Sequence, residues 1–190
     1  MATIATGGML TEAELDLRLM MRKLWEDHVV WARCYIISVA ADLRDLDATV
    51  QRIRANQEEI GDALKPFYGE AVGNTLKGLL LEHTIQAAAV FKVVKTENTS
   101  QAEDAERRWY LNADQIATFL SGVNPYWPEK ETQDMLYEHL RLSENEAEQR
   151  LSGDYTADIE QFDEALLQII ELADILSDGI VRQFADQFGR

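Results

Sequence analysis

The sequence predicts an all-α protein, an antiparallel bundle of about six helices with a four-helix-bundle-like core. Apolar residues recur three and four positions apart, with almost no alternation of period two, as in amphipathic helices. The chain also has only three prolines, and all of them lie in stretches that carry other turn signals. Together, these observations favour helices over strands along the whole chain.

Turn signals divide the chain into six predicted helices. The breaks fall at DLRDLD, KPFYGE, TENTS, GVNPYWPE and LSGDYT. Capping boxes, in which a hydroxyl accepts from a backbone N–H and an acid reaches back, mark helix starts at Thr11, Ser100 and Ser143. The predicted helices cover residues 11–42, 47–65, 70–95, 100–121, 129–151 with a kink near Leu142, and 155–187.

Composition limits the range of functions. A chain of 190 residues can bury one sizeable core, so we predict a flexible N-terminal arm at 1–10 and a single domain at 11–190. The 34 acidic and 18 basic residues give a net charge of -16, which repels nucleic acid and anionic lipid. We therefore expect neither nucleic acid nor a membrane as a partner. The single cysteine, Cys34, and the lack of an apolar run of bilayer length predict a cytoplasmic protein.

The three histidines share one local frame. Each follows an acid and an apolar stretch, in LWEDH, LLLEH and MLYEH, which end at His28, His83 and His139. Two copies of N-x-[DE]-x-I-[GA] begin at Asn56 and Asn112, and each asparagine precedes a histidine by 27 residues. The pattern is a weak internal repeat.

This repeat predicts one polar layer inside the bundle. In antiparallel helices, two residues are level when the turn that joins the helices lies midway between them. The intervals between histidines and asparagines are centred on or near predicted turns, and the interval from His139 to Asp163 is centred beside LSGDYT. Apolar neighbours three and four positions away indicate that these side chains face inward. Six residues should therefore lie within about 11 Å of each other along the bundle axis: His28, His83, His139, Asn56, Asn112 and Asp163.

The layer predicts a metal site. Imidazoles bind first-row transition metals, and three of them leave an open coordination position. We predict one mononuclear Zn, Cu or Fe ion, with the asparagine oxygens accepting the outer N–H groups of the imidazoles. The predicted ligands are His28, His83, His139 and Asp163. Asn56 and Asn112 are predicted to accept hydrogen bonds from the ligand imidazoles.

Two alternatives to metal binding stay open at this point. A hydrogen-bonded layer of histidine, asparagine and aspartate could set helix register in a non-catalytic structural or interaction module. Aromatic residues such as Trp109 could instead line a pocket for an organic ligand. The Glu-x-x-His signature of ferritin-like di-iron bundles is absent at all three histidines.

Four blocks of the sequence resemble a family of uncharacterised bacterial helical proteins: LWEDHVVWARCYIISVAADL, NQEEIGDALKPFYG, RWYLNADQIATFLSGVNPYWP and ADILSDGIVRQF. The likeness covers most of residues 20–185. Some members are described as glycosyltransferases or acetylglutamate kinases, which implies α/β nucleotide-binding domains. This sequence has neither parallel-strand runs nor a phosphate-binding glycine loop. The resemblance therefore implies an all-α fold and supplies no reaction.

Overall fold

The part of the chain that the structure describes is helical. A computed structural model describes residues 10–96 and 99–190, and this part contains no strand. The prediction of an all-α fold is confirmed. The five α-helices are α1 (Glu12–Ala40), α2 (Leu46–Thr96), α3 (Thr99–Val123), α4 (Glu129–Ser152) and α5 (Tyr155–Gln183), and a 3₁₀ helix (Ala185–Phe188) follows them. The predicted arm at residues 1–10 lies outside the described residues except for Leu10.

The number of helices differs from the prediction at α2. Two helices were expected on either side of KPFYGE, and this stretch instead lies within α2, whose helical backbone is interrupted at Gly69, where φ is 81° and ψ is 170°. Glycine adopts a positive φ readily because it has no Cβ. Gly61 lies close to Gly73 and Lys77, which a straight helix would hold about 18 and 24 Å away. The first segment of α2 (46–68) and its second segment (70–96) therefore fold back on each other.

The helix boundaries show which capping predictions hold. Thr11 and Glu14 form the predicted capping box at the start of α1. Ser143 does not start a helix, because it lies inside α4 and its hydroxyl donates to the carbonyl of His139 at 2.9 Å. A serine can be satisfied within its own helix in this way, so the sequence pattern alone is ambiguous. The box predicted at Ser100 lies outside the described side chains.

The helices pack on one another in chain order, and α5 also packs against α1, which closes the arrangement. Their buried apolar side chains form one continuous core. Gly61 and Gly73 allow the two segments of α2 to approach closely, and Gly179 of α5 leaves room for the indole of Trp127. Within the described residues, no helix has an apolar stretch that could cross a membrane.

The contact at Gly61 predicts a difference between two glycines of α2. A Cβ at Gly61 would lie 2.8 Å from the carbonyl oxygen of Gly73 and 2.8 Å from the Cβ of Lys77. Gly61→Ala should therefore lower the free energy of unfolding by about 1 to 3 kcal/mol. Gly78→Ala, where nothing lies within 4 Å of the added Cβ, should raise it by up to about 1 kcal/mol. Urea denaturation followed by circular dichroism measures both, and equal effects would contradict a close approach at Gly61.

Candidate functional site

The three histidines meet inside the protein. His28 lies on α1, His83 on the second segment of α2 and His139 on α4, and their exposed fractions are 7%, 4% and 4%. The ring centroid of His139 lies 5.3 Å from that of His28 and 6.3 Å from that of His83. The Nε2 atoms of His28 and His139 are 3.3 Å apart. The prediction that the histidines share an inward-facing layer is confirmed.

Asp163 does not belong to this layer. It is exposed on α5, so the prediction that it faces inward beside the histidines is wrong. Leu167, four residues further along the same helix, is also exposed, at 74%. The face of α5 that points inward is therefore set by other residues.

Asn112 forms a hydrogen bond with Nδ1 of His83, as predicted. Nδ1 of His83 lies 2.8 Å from Oδ1 of Asn112, and Nδ2 of Asn112 donates to the carbonyl of Leu79 at 3.2 Å. Because this amide is bonded at both ends, its oxygen faces the ring and fixes the ring hydrogen on Nδ1. The lone pair on Nε2 of His83 then accepts a hydrogen bond from Nε1 of Trp109 at 3.1 Å. His83 is thus a neutral imidazole with both nitrogens satisfied.

At His28, two adjacent residues, Asn56 and Gln57, make the contacts that Asn112 makes alone at His83. Asn56 donates from Nδ2 to the carbonyl of Leu24 at 2.9 Å, but the group on Nδ1 of His28 is Nε2 of Gln57, also at 2.9 Å. Nε2 of Gln57 donates in addition to Oδ1 of Asn56 at 3.3 Å. The carboxamide that bonds to the first histidine is therefore Gln57 rather than Asn56, and it donates to the ring, whereas the prediction had the amide oxygen accepting from it. Since Gln57 donates to Nδ1, the hydrogen of His28 lies on Nε2 and points towards His139.

Gln168 is the corresponding carboxamide on α5. It is buried, and its Nε2 donates at 2.8 Å to the carbonyl of Met135, which lies four residues before His139. Leu79 and Leu24 likewise lie four residues before their histidines. Oε1 of Gln168 and Nδ1 of His139 are buried, and neither has a hydrogen-bond partner in the described part of the chain. Gln168 thus lies 29 residues after His139, but no hydrogen bond joins the two side chains.

A constant spacing of 29 residues relates each histidine to a carboxamide, and in two of the three pairs the side chains are hydrogen-bonded. The pairs are His28 with Gln57, His83 with Asn112, and His139 with Gln168. Each interval is centred on the connection between two successive helices, as the geometry of folded-back helices requires. The 27-residue interval from asparagine to histidine does not point to Gln57 or Gln168. The 29-residue interval was the signal that would have identified both.

Burial keeps the imidazoles neutral. Desolvation disfavours the charged form and lowers the pKa of His28 to about 3 and that of His83 to about 4. The pKa of His139 also falls well below its ordinary value, first through burial and then through the neighbouring His28 and His83. At pH 7 the layer therefore presents uncharged nitrogens.

The histidines line the deep end of a cavity of about 100 Å³ between α1, α2, α3 and α4. Most of the other wall residues are apolar. The cavity reaches the surface at Arg54 and Ile85, which are both exposed. A small molecule or ion therefore has a route to the histidine layer.

The described conformation does not present a finished metal site. In the described ranges, no group of three or more His, Cys, Asp or Glu side chains is placed to hold a metal ion. The lone pair on Nε2 of His83 accepts from Trp109, and Asp163 is exposed. What remains is a pair of facing nitrogens on His28 and His139.

Comparison of the chain with protein-family models, with curated proteins and with solved structures gives no match. The resemblance to the bacterial helical family stays a prediction. The functional proposal therefore depends on the geometry of the histidine layer.

The lowered pKa values predict a loss of stability in mild acid. Below about pH 6.5 the unfolded chain takes up a proton on each histidine, whereas folded His83 does so only near pH 4. The contribution of neutral His83 is complete above pH 6.5 and is lost as the pH falls through this window, by about 2 kcal/mol at pH 5. Urea denaturation at pH 7 and pH 5 measures the difference, which should be about 2 kcal/mol smaller in His83→Gln. The same difference in both proteins would mean that His83 is not shielded from protons.

Proposed function

We propose that this protein binds one first-row transition metal ion between His28 and His139, with His83 as a third ligand. The supporting observation is the 3.3 Å separation of the Nε2 atoms of His28 and His139. A tetrahedral ion with metal–nitrogen bonds of about 2.0 to 2.1 Å holds two ligand nitrogens about 3.3 to 3.4 Å apart. The Nε2 atoms of the two rings thus have the separation found around tetrahedral Zn²⁺, and burial keeps both rings unprotonated.

The carboxamides support the same function. Histidines that bind metals usually donate the outer N–H to an oxygen, which orients the ring and raises its basicity. Asn112 does this for His83 already. A 180° rotation of the Gln57 amide would offer its oxygen, which has no partner among the described residues, to Nδ1 of His28. The ring hydrogen would then move to Nδ1 and free Nε2 for the metal.

His83 becomes the third ligand by exchanging its hydrogen bond with Trp109 for a bond to the metal. Its Nε2 must leave the indole N–H of Trp109, at a cost of about 1 kcal/mol for a neutral hydrogen bond. Three imidazoles would then leave a fourth position that faces the apolar cavity, where water or a small ligand can bind.

The proposed site depends on six helical segments packed antiparallel, with the two segments of α2 counted separately. The 29-residue spacing supports this arrangement, because paired residues become level when the chain reverses midway between them. We also propose a cytoplasmic location, since the one cysteine, Cys34, has no internal disulfide partner.

A specific observation favours a second candidate, a non-catalytic structural or interaction module. The hydrogen bonds from Gln57 to His28 and from Trp109 to His83 use the ring nitrogens without any metal. Such a layer would fix helix register, because sliding one helix would leave several buried polar groups unsatisfied. In this case the histidines would serve only to specify the fold.

Metal titration of the untagged, metal-free protein separates the two functions. We expect one Zn²⁺ per chain by calorimetry and a loss of at least about 100-fold in affinity in His139→Ala, which removes a ligand. Trp109→Phe should bind about 5-fold more tightly, because His83 no longer has to give up a hydrogen bond. Trp127→Phe is the matched control, since that indole is also buried but lies among apolar side chains away from the histidines.

If the protein is a structural module, the same titration gives a different result. The wild type and Trp109→Phe would both bind no Zn²⁺, Cu²⁺ or Co²⁺, and Trp109→Phe would only lower the free energy of unfolding. That result would reject metal binding.

A further inference from the structure

The cavity beside the histidine layer has a size and a lining that suit a small organic ligand. Its volume is about 100 Å³, and Ile53, Ala88 and Phe91 are among the apolar side chains of its wall. In another protein, an apolar cavity of roughly 150 Å³ stays dry and binds benzene. By that measure, this cavity fits an apolar body of about four or five carbon atoms.

Tyr35 adds a hydrogen-bond donor to the apolar wall. Its side chain is 4% exposed and lines the cavity, its ring lies 6.2 Å from that of Phe91, and its hydroxyl has no partner among the residues described. Burial raises the pKa of the phenol, so the hydroxyl stays protonated. A buried hydroxyl without a partner is costly, and a ligand oxygen would satisfy it.

Arg54 provides a positive charge at the mouth of the cavity. It is exposed there and forms no ion pair with any described residue, whereas nearby Arg52 pairs with Asp27 and Glu59. With 34 acidic and 18 basic residues in the chain, carboxylates are plentiful, and yet this guanidinium has none. Guanidinium groups bind carboxylates through two parallel hydrogen bonds.

We infer that the cavity is a binding site for a small monocarboxylic acid whose branched apolar body lies inside and whose carboxylate meets Arg54 at the mouth. Tyr35 lines the same cavity, and its hydroxyl has no partner among the described residues. This site goes beyond metal binding and does not depend on it, because these side chains are present in the metal-free protein.

Binding of isovalerate to the metal-free protein in EDTA tests this inference. NMR titration of the Trp109 indole signal, which reports from the cavity wall, should give a dissociation constant of about 0.1 to 1 mM for so small a ligand. Arg54→Gln should weaken isovalerate about 5- to 10-fold, and it should leave the weaker binding of the neutral amide, isovaleramide, unchanged. Arg44→Gln, an equal change of charge at an exposed site outside the cavity lining, should bind like the wild type.

A second pair of variants tests the location. Ala88→Leu fills the cavity and should abolish binding, whereas Ala89→Leu, on the neighbouring residue outside the cavity lining, should retain it. The inference is overturned if the folded wild type does not bind isovalerate, or if Arg54→Gln and Arg44→Gln weaken it equally. It is also overturned if folded Ala88→Leu binds as the wild type does. Because no metal is present, the result is independent of the zinc titration.

Discussion

Three imidazole rings share one buried layer, and their nitrogens have to be satisfied away from water. Each neutral ring has one donor and one acceptor, and leaving either unmet in the core is costly. His83 is satisfied at both nitrogens, by Asn112 and Trp109. A proton added to any ring would be a buried charge, and so the pKa values of the three rings fall. The chemistry of the layer is therefore that of neutral imidazole.

This requirement explains the spacing along the chain. A carboxamide on a neighbouring segment can reach a ring nitrogen only if the two residues lie at the same height along the helices. A separation of 29 residues, centred on a connection, gives that height for His83 and Asn112 and for His28 and Gln57. The close approach of Gly61 to Gly73 brings together the segments of α2 that carry Gln57 and His83. Helix packing and side-chain chemistry thus depend on each other.

The sequence was sufficient for the fold class and for the meeting of the histidines, because both follow from periodicity and from equal spacing. It was not sufficient for α5, where Asp163 matched the motif but Gln168 faces inward. Packing against the other helices decides which face of α5 points inward. A match of residue types to a sequence motif does not report that face. The hydrogen bond from Trp109 to His83 was also beyond sequence reasoning, because it depends on side-chain orientation across two helices.

The central claim is that three neutral imidazoles share one buried space and that carboxamides orient two of them, His28 and His83. The protonation state of each ring nitrogen tests it most directly. Long-range ¹H–¹⁵N correlation spectra of the metal-free protein at pH 7 report this state for every histidine. The account predicts three neutral rings, with the hydrogen on Nδ1 in His83 and His139 and on Nε2 in His28. A charged imidazolium in the layer, or a hydrogen on Nε2 of His83, would contradict it.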